Sequence, residues 1–131
     1  MVNDPIADLL TRMRNGYMAH RSEVTCEHSE LKYAILKILE KKGYIEGVEL
    51  AKDEGDKKVI NIQLKAIDRH QIAPSFKRMS TPGRRYYVKA SQIKPVNSGH
   101  GLGIISTSKG IMTSYEAVSG GLGGEYLCQV Y

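Results

Sequence analysis

The sequence predicts an α+β fold made of two small subdomains. Residues 1–65 alternate between the 3.6-residue period of amphipathic helices and the two-residue period of strands, in the order α-β-α-β-β. Residues 66–131 show mostly two-residue alternation with one short helix, which indicates a mainly antiparallel β subdomain. We place the linker in the polar, aperiodic stretch 66–71. A chain of 131 residues is long enough for two very small domains that share an interface.

The first helix begins at Asp4 and Pro5. An N-cap carboxylate accepts exposed backbone amides, and proline in the first turn has no amide to lose. Apolar residues then recur along one helical face and are expected in the core: Ile6, Leu9, Leu10, Met13 and Tyr17. The opposite face is polar and could meet a partner; on it, Asp8 and Arg12 are spaced to pair.

Caps and alternation predict the rest of the N-terminal subdomain. "SEVTCEH" is a strand, Ser29 caps a second helix, and Gly43 ends that helix. "YIEGVELAKDEGDKKVINIQLK" predicts a hairpin that turns at "DEGD" and completes a three-stranded sheet. The core face of the second helix is predicted to be Leu31, Ile35, Ile38 and Leu39.

The C-terminal subdomain is predicted from its turns. "SFKRMSTPGRRYYVK" indicates a second hairpin, in which Pro82 fixes φ and Gly83 supplies the positive φ of a type II turn. "LGIISTS" is a strand that ends at Lys109 and Gly110, and "IMTS" follows as another strand. A T-x-x-E capping box begins a short helix, "GGLGG" ends it, and "EYLCQVY" is the final strand.

Positive charge is concentrated in the second half of the chain. The net charge is +5, but residues 1–68 carry 11 Lys and Arg against 12 Asp and Glu, whereas residues 69–131 carry 8 against 2. This distribution favours an anionic partner, with a merely solvated basic face as the alternative. Six cations and no acid lie between positions 77 and 94: Lys77, Arg78, Arg84, Arg85, Lys89 and Lys94.

Several function classes are not supported by the sequence. No apolar run approaches the ~20 residues of a membrane helix, and the N-terminus lacks the order of a signal peptide, so a cytoplasmic location is expected. Cys26 and Cys128 are far apart and lack zinc-ligand spacing, so we interpret them as small buried hydrophobes and expect no metal.

An enzyme is likewise not expected. The glycine-rich stretches do not form G-x-G-x-x-G, there is no G-K-[ST], and the four histidines are scattered, so we expect neither catalysis nor a cofactor. A membrane-surface or acidic-protein binder would need a basic amphipathic helix with exposed Trp, Phe or Leu. Here the cations fall on predicted strands and Trp is absent.

The stretch "IISTSKGIMT" has the composition of a ribose and phosphate contact. Ser106, Thr107 and Ser108 carry hydroxyls that donate and accept, and Lys109 adds a compact cation. Short hydroxyl side chains suit the shallow minor groove of RNA, which displays 2′-hydroxyls and base edges. The alternative is that these hydroxyls bond to their own backbone as turn and cap motifs.

Matching segments along nearly the whole chain carry a resemblance to a known family. They are "NDPIADLLTRMRN", "KGYI", "TPGRRYYV", "ISTSKGIMT" and "GLGGEYLCQVY". The chain resembles the bacterial family of small-subunit ribosomal protein eight. The resemblance implies a two-domain structural protein that binds the central domain of 16S rRNA directly, early in assembly, and helps to organise the platform. An RNA-binding or translational regulatory module of another kind is the alternative.

The resemblance also implies particular contact residues and partners. Neighbouring small-subunit proteins, proteins five and twelve, are implied partners, as is its own messenger in some bacteria. The electrostatic part of binding is expected from the basic stretch, including Lys77, Arg84 and Arg85. The RNA contacts carried over position by position are Ser106, Thr107, Ser108, Lys109, Glu125, Tyr87, Thr11, Arg12, Arg14 and Asn15.

Two of these residues have alternative interpretations. Glu125 could accept hydrogen bonds from the loop of residues 106–109, which we call the hydroxyl loop, or from a ribose, or it could be a plain charge at a strand edge. Tyr87 could stack on an unpaired base or fill the core. The chain also departs from the family pattern at His100, where an aliphatic residue is usual, and at Gly103, where alanine is usual. His100 would contact RNA or a protein, or mark shifted packing, and Gly103 is expected to loosen its strand slightly.

Overall fold

The computed structural model describes residues 4–68 and 70–131, and it confirms the α+β class. Two short 3-10 turns, Ala90–Gln92 and Asn97–Gly99, were not predicted. Every predicted helix is present. The helices and strands are α1 Pro5–Met18, β1 Glu23–Glu27, α2 Glu30–Lys41, β2 Gly47–Lys52, β3 Lys58–Gln63, β4 Phe76–Arg78, β5 Tyr87–Val88, β6 Leu102–Thr107, β7 Gly110–Thr113, α3 Ser114–Gly120 and β8 Gly124–Val130.

The chain divides into two compact units. One unit is Leu9–Pro74, and the other joins residues 4–8 to Ser75–Tyr131. The predicted domains 1–65 and 66–131 stay a prediction. Residues 1–3 and Arg69, which fall within those domains and the expected linker, lie outside the described residues.

The unit Leu9–Pro74 contains a three-stranded antiparallel sheet in the order β1-β3-β2. Ile62 in the central strand β3 lies opposite both Val24 and Val48, which confirms the predicted hairpin. Ile60 and Ile62 are fully buried, because alternate residues of β3 point into the core. The predicted core stripe of α1, a helix whose residues fall in both units, is confirmed as well, since Ile6, Leu9, Leu10, Met13 and Tyr17 are all buried.

The predicted core face of α2 is partly wrong. Ile35 and Leu39 are buried as expected, but Leu31 is exposed and Ile38 is only half-buried. The helix is rotated so that its buried face also contains Leu36 and Lys32: the full set is Lys32, Ile35, Leu36 and Leu39. Lys32 can occupy an apolar face because its aliphatic stem is buried while its Nζ donates to the Glu27 carbonyl at 3.4 Å. Sequence hydropathy could not anticipate a lysine in this position.

The second unit is built around β8. The sheet has the order β4-β8-β6-β7, and β5 also pairs with β8. Phe76 in β4 lies opposite Val130, whereas Tyr87 in β5 lies opposite Glu125. The predicted second hairpin is therefore wrong: β4 and β5 do not pair with each other but follow one another along the same edge of β8. Alternation shows that a segment is extended, but it does not identify the strand with which the segment pairs.

The Pro82-Gly83 turn exists, but without the predicted positive φ. Thr81 and Arg84 exchange two backbone hydrogen bonds of 3.1 Å across it. Among the described glycines, those with positive φ are Gly43, Gly99, Gly110 and Gly121, so the type II assignment of Gly83 is wrong. Proline at the second position of a turn suits type I as well as type II, and only type II requires positive φ at the next residue.

Asp4 and Arg78 connect the start of α1 to the sheet of the same unit. Arg78 Nε donates to both carboxylate oxygens of Asp4, at 3.0 and 3.3 Å, and Nη1 donates to the Leu127 carbonyl at 2.7 Å. Asp4 also accepts the Ala7 amide at 3.2 Å, which confirms the predicted N-cap. The Arg78 side chain is only 11% exposed and the Asp4 side chain only 18%, so this pair is largely protected from solvent.

Replacing Arg78 should destabilise this unit. Arg78→Met keeps much of the aliphatic volume but leaves the Asp4 carboxylate without its cation, and we expect a loss of about 2 kcal/mol in the free energy of unfolding. The measurement is urea denaturation followed by circular dichroism. Lys77→Ala, an exposed cation on the same strand, is the control and should change stability by less than about 0.5 kcal/mol. Equal effects of the two changes would contradict a structural role for the Arg78 pair.

Candidate RNA interface

Pairing of β8 with β5 and β6 brings three predicted contact residues into one row. Glu125 in β8 lies opposite Tyr87 in β5 and opposite Ser106 in β6. Residues directly opposite each other on neighbouring strands project from the same face of a sheet. Tyr87, Glu125 and Ser106 therefore form a continuous row across three strands, which we call the contact row.

The hydroxyl loop extends from one end of the contact row. Thr107 in β6 lies opposite Gly110 in β7, so Ser108 and Lys109 form the tip of a tight hairpin turn. Both residues are exposed. The sequence predicts that the strand ends at Lys109 and Gly110, whereas β6 ends at Thr107 and Gly110 is the first residue of β7. The turn between the two strands presents a hydroxyl and a cation next to Ser106.

The three hydroxyls of this loop differ in their bonding. The Thr107 Oγ1 donates to the Gly110 carbonyl at 2.8 Å and accepts the Lys109 amide at 3.1 Å. The Thr107 hydroxyl thus bonds to the backbone of its own turn, as the alternative interpretation of these hydroxyls predicts. Within residues 4–68 and 70–131, the Ser106 and Ser108 hydroxyls make no hydrogen bond. Those two hydroxyls are the ones left for a ligand.

Two glycines allow the strands of the contact row to approach each other. A Cβ added at Gly124 would collide with the Ser106 carbonyl oxygen, and one added at Gly123 would lie 2.5 Å from the Val88 carbonyl oxygen. Such contacts are too short for real Cβ atoms. The sequence predicted these glycines only as the end of α3, a role that Gly121 fills with its φ of 65°. Gly123 and Gly124 instead let β8 fit between β5 and β6.

The Glu125 carboxylate is bound by groups outside the hydroxyl loop. Its Oε2 accepts the Ser80 hydroxyl at 2.6 Å and Arg85 Nη1 at 2.9 Å. Burial opposes ionisation of Glu125, but the hydrogen bonds from Ser80 and Arg85, with the charges of Arg85 and Arg78, outweigh it and lower the pKa. Glu125 is therefore a constrained carboxylate rather than a plain strand-edge charge.

Ser80 is a functional candidate that the sequence did not reveal. Its side chain is fully buried, and its Oγ accepts the Tyr86 amide at 3.0 Å while donating to Glu125. A serine between Met79 and Thr81 carries no sequence signal for this role, because the role depends on the position of β8. Ser80 thereby links the loop before β5 to the contact row.

Tyr87 lies on the surface, so the alternative that it fills the core is wrong. Its side chain is 66% exposed, whereas the neighbouring Tyr86 packs parallel to Tyr126 with ring centroids 6.0 Å apart. The sequence contains both tyrosines side by side, and only the strand register separates the ring that packs on Tyr126 from the more exposed ring of Tyr87. An exposed ring next to a carboxylate and a hydroxyl is suitable for stacking on a base.

The predicted cations occupy different environments. Lys77 is exposed on β4, and Arg84 is exposed at the Pro82-Gly83 turn. Arg85 is bound to Glu125, and Arg78 is bound to Asp4. The basic stretch is therefore not a uniform charged face, since two of its arginines are engaged within the protein.

The predicted contact residues of α1 belong to the unit Leu9–Pro74, whereas β5, β6 and β8 belong to the other unit. Thr11, Arg12, Arg14 and Asn15 are all exposed, which confirms that this face of the helix is polar. Arg12 Nη1 donates to the Thr25 carbonyl at 3.3 Å. RNA contact by these residues, as by those of the contact row, stays a prediction.

The cysteine interpretation is confirmed. Cys26 and Cys128 form no disulfide and are buried, and burial raises the pKa of the Cys128 thiol to about 12. Residues 4–68 and 70–131 contain no cluster of three or more His, Cys, Asp or Glu side chains arranged to hold a metal ion. None of the described helices has the length and apolar character needed to cross a membrane.

Gly103 does not leave a gap in its strand. The Tyr126 ring and hydroxyl occupy the space that a Cβ would need, and the Tyr126 hydroxyl accepts Gln129 Nε2 at 3.2 Å. The expectation that Gly103 loosens its strand did not take this packing of Tyr126 into account. His100 is exposed after the turn Asn97–Gly99.

Comparisons with known proteins agree with the resemblance seen in the sequence. A family model described as "Ribosomal protein S8" matches residues 4–131. The small ribosomal subunit protein uS8 of Syntrophus aciditrophicus is 44% identical over 131 residues, which cover 99% of this chain and 98% of that protein. The uS8 proteins of Pseudomonas fluorescens and of Neisseria meningitidis serogroup C are 41% and 44% identical, each with 98% of its length covered.

The close approach of β8 to β6 can be tested at Gly124. Gly124→Ala should force the strands apart, reducing the free energy of unfolding by about 2 kcal/mol and shifting the backbone amide NMR signals of Ser106 and Glu125. Gly83→Ala is the matched control, since its Cβ would meet nothing within 4 Å and its φ is not positive. A Gly124→Ala protein as stable as the control would contradict the packing explanation.

Proposed function

The chain belongs to the ribosomal protein S8 family, and we propose that it is a non-catalytic RNA-binding component of the small ribosomal subunit. Its role is to bind the central domain of 16S rRNA directly and to help organise the platform. The observation that supports this proposal most is the contact row, because one sheet face aligns Tyr87, Glu125 and Ser106 next to the exposed turn of Ser108 and Lys109.

The contact row and the adjoining hydroxyl loop offer a different interaction to each part of an RNA minor groove. The Ser106 and Ser108 hydroxyls donate to or accept from ribose 2′-hydroxyls and base edges. Glu125 accepts hydrogen bonds from ribose 2′-hydroxyls and base edges. It accepts none from the phosphodiester groups, which have no hydrogen to donate at neutral pH. Tyr87 stacks on an unpaired base at the edge of the groove. Together these contacts read shape and hydrogen-bond donors rather than charge alone.

Cations provide the second part of binding. Lys109 at the loop tip, Lys77 on β4 and Arg84 at the turn are exposed and neutralise phosphates. Such contacts position the protein, while the hydroxyl and carboxylate contacts select the site. On α1, the exposed polar face of Thr11, Arg12, Arg14 and Asn15 adds a further RNA contact.

Protein partners and feedback control belong to the same proposal. Family membership supports contact with neighbouring small-subunit proteins, proteins five and twelve, and binding to its own messenger. A messenger that competes with rRNA would have to present the same donors to the contact row. A translational regulatory module without ribosomal assembly is the alternative, and it predicts tighter binding to the messenger than to rRNA.

The wild-type chain should bind rRNA tightly and selectively. We expect titration with fluorescent central-domain fragments of 16S rRNA to give a Kd on the order of 10⁻⁸ M, by analogy with specific nucleic-acid complexes at physiological salt. Excess random duplex RNA should not displace the protein. Weak binding that disappears uniformly with salt would leave only a basic surface and contradict the proposed function.

Two substitutions in the loop should separate charge from selectivity. Lys109→Ala should weaken binding to all RNAs and reduce the slope of log K against log salt by roughly one unit, because one phosphate contact is lost. Ser108→Ala should mainly remove the preference for the cognate helix. Both are measured by the same titration at several salt concentrations.

Matched controls for these two variants come from helices, which contribute no residue to the contact row. Lys41→Ala removes an exposed cation from α2, and Ser119→Ala removes an exposed hydroxyl from α3. Both should bind RNA like the wild type. If Ser108→Ala loses equal affinity for random duplex RNA and for the cognate fragment, the hydroxyl does not select the site.

A further inference from the structure

Arg85 differs from the other cations of the interface because its charge is already paired. Its Nη1 lies 2.9 Å from Glu125 Oε2, the oxygen that also accepts the Ser80 hydroxyl at 2.6 Å. Ser80 is itself held by the Tyr86 amide, which donates to its Oγ at 3.0 Å. The carboxylate is thus fixed from the protein side, and Arg85 is bound to a fixed acceptor.

The pair is placed so that it is stable but can be opened. The Glu125 side chain is only 18% exposed, whereas that of Arg85 is 50% exposed. The Glu125 carboxylate is already largely desolvated in the folded protein, so binding a ligand costs it little further desolvation. The more exposed Arg85 guanidinium can still exchange Glu125 for solvent or for a ligand. Glu125 therefore stays in position when Arg85 moves.

One acceptor position of Glu125 is open toward a ligand. Within the described part of the chain, no hydrogen bond reaches its Oε1, although Oε2 accepts two. Ribose hydroxyls and base amino groups have a hydrogen to donate to this oxygen, whereas a phosphate diester has none. The carboxylate consequently discriminates between two parts of the same RNA.

The charge pattern makes this carboxylate unusual. Residues 75–131 contain two acids, Glu116 and Glu125. Glu116 is explained by the capping box of α3, where its carboxylate receives the Thr113 amide and hydroxyl at 3.3 and 3.0 Å. Glu125 has no such structural duty at a helix end, and its negative charge weakens attraction to any polyanion.

We propose that Ser80 and Glu125 hold Arg85 in an intramolecular ion pair, which lowers the affinity of the protein for phosphates in general. An RNA offsets this loss of affinity only if it donates a hydrogen bond to Glu125. Glu125 is then a specificity-determining residue and Ser80 a positioning residue. This inference rests on the proposed function, because it takes RNA as the ligand of the contact row. It adds that the acid raises selectivity by lowering non-specific affinity.

Random-sequence duplex RNA tests the inference directly. Glu125→Gln keeps the shape of the side chain but releases Arg85, so affinity for this RNA should rise about fivefold at low salt, with a salt slope steeper by roughly one unit. Glu49→Gln removes the same charge from an exposed position on β2 and should change affinity less than about twofold.

Variants of Arg85 distinguish the proposed Arg85–Glu125 pairing from a general effect of net charge on RNA affinity. Arg85→Ala alone should leave the slope of log K against log salt for random duplex RNA unchanged, because a paired Arg85 contacts no phosphate, even though the unpaired Glu125 charge that remains lowers affinity at low salt. In the Glu125→Gln, Arg85→Ala double variant, the affinity and the salt slope should return to the wild-type values. If Arg85→Ala reduces the salt slope by about one unit, if the double variant keeps the gain of Glu125→Gln over wild type, or if Glu125→Gln gives no more than Glu49→Gln, the inference is overturned.

Ser80 requires a readout other than affinity, because its removal also leaves the Tyr86 amide without an acceptor. In Ser80→Ala the pKa of Glu125, measured by carbon NMR of its carboxyl, should rise relative to wild type, since one donor to the charged form is lost. An unchanged Glu125 pKa in a folded Ser80→Ala protein would remove Ser80 from the proposal. If this variant does not fold, the Glu125 and Arg85 variants still decide the inference.

Failure of this inference and failure of the proposed function have different signatures. The variants are compared on random duplex RNA, without reference to rRNA. The proposed function fails if the wild-type protein does not prefer central-domain rRNA, whatever the variants do. The inference fails if wild-type selectivity is present but the gain in Glu125→Gln does not depend on Arg85.

Discussion

The position of β8 is the constraint on which the candidate interface depends. This strand pairs with β6 along one edge and with β4 and β5 along the other, so three separate segments acquire their places from it. Its approach to Val88 and Ser106 is possible only because Gly123 and Gly124 have no side chain. A sheet that closes this tightly determines register, and the register places Tyr87, Glu125 and Ser106 in one row.

Charge in the unit that joins residues 4–8 to Ser75–Tyr131 has two uses, which a count of charged residues cannot separate. Arg78 stabilises the fold through Asp4 and the Leu127 carbonyl, and Arg85 is paired with Glu125, while Lys77 and Lys109 remain exposed. Attraction of a polyanion depends mainly on cations without an internal partner. An interface with fewer unpaired cations has less non-specific affinity, which leaves more of the binding free energy to hydrogen bonds that read a particular RNA.

Local interactions made much of the fold predictable from the sequence. Asp4, Ser29 and Thr113 cap their helices as expected, because a capping bond joins residues only three positions apart. The core stripe of α1 and the β2–β3 hairpin follow from periodicity in the same way. The errors concern packing: Lys32 replaces Leu31 on the buried face of α2, and β4 and β5 pair with β8 instead of with each other.

The sequence by itself determined the fold class, most elements, the basic second half and the residue types suited to RNA. Tertiary structure alone decided that Thr107 serves its own turn while Ser106 and Ser108 remain open, that Tyr87 rather than Tyr86 is the more exposed ring, and that Ser80 joins the interface. The reason is physical. Caps and periodicity act over a few residues, whereas strand register and burial depend on contacts such as Ser80 with Glu125, which lie 45 positions apart.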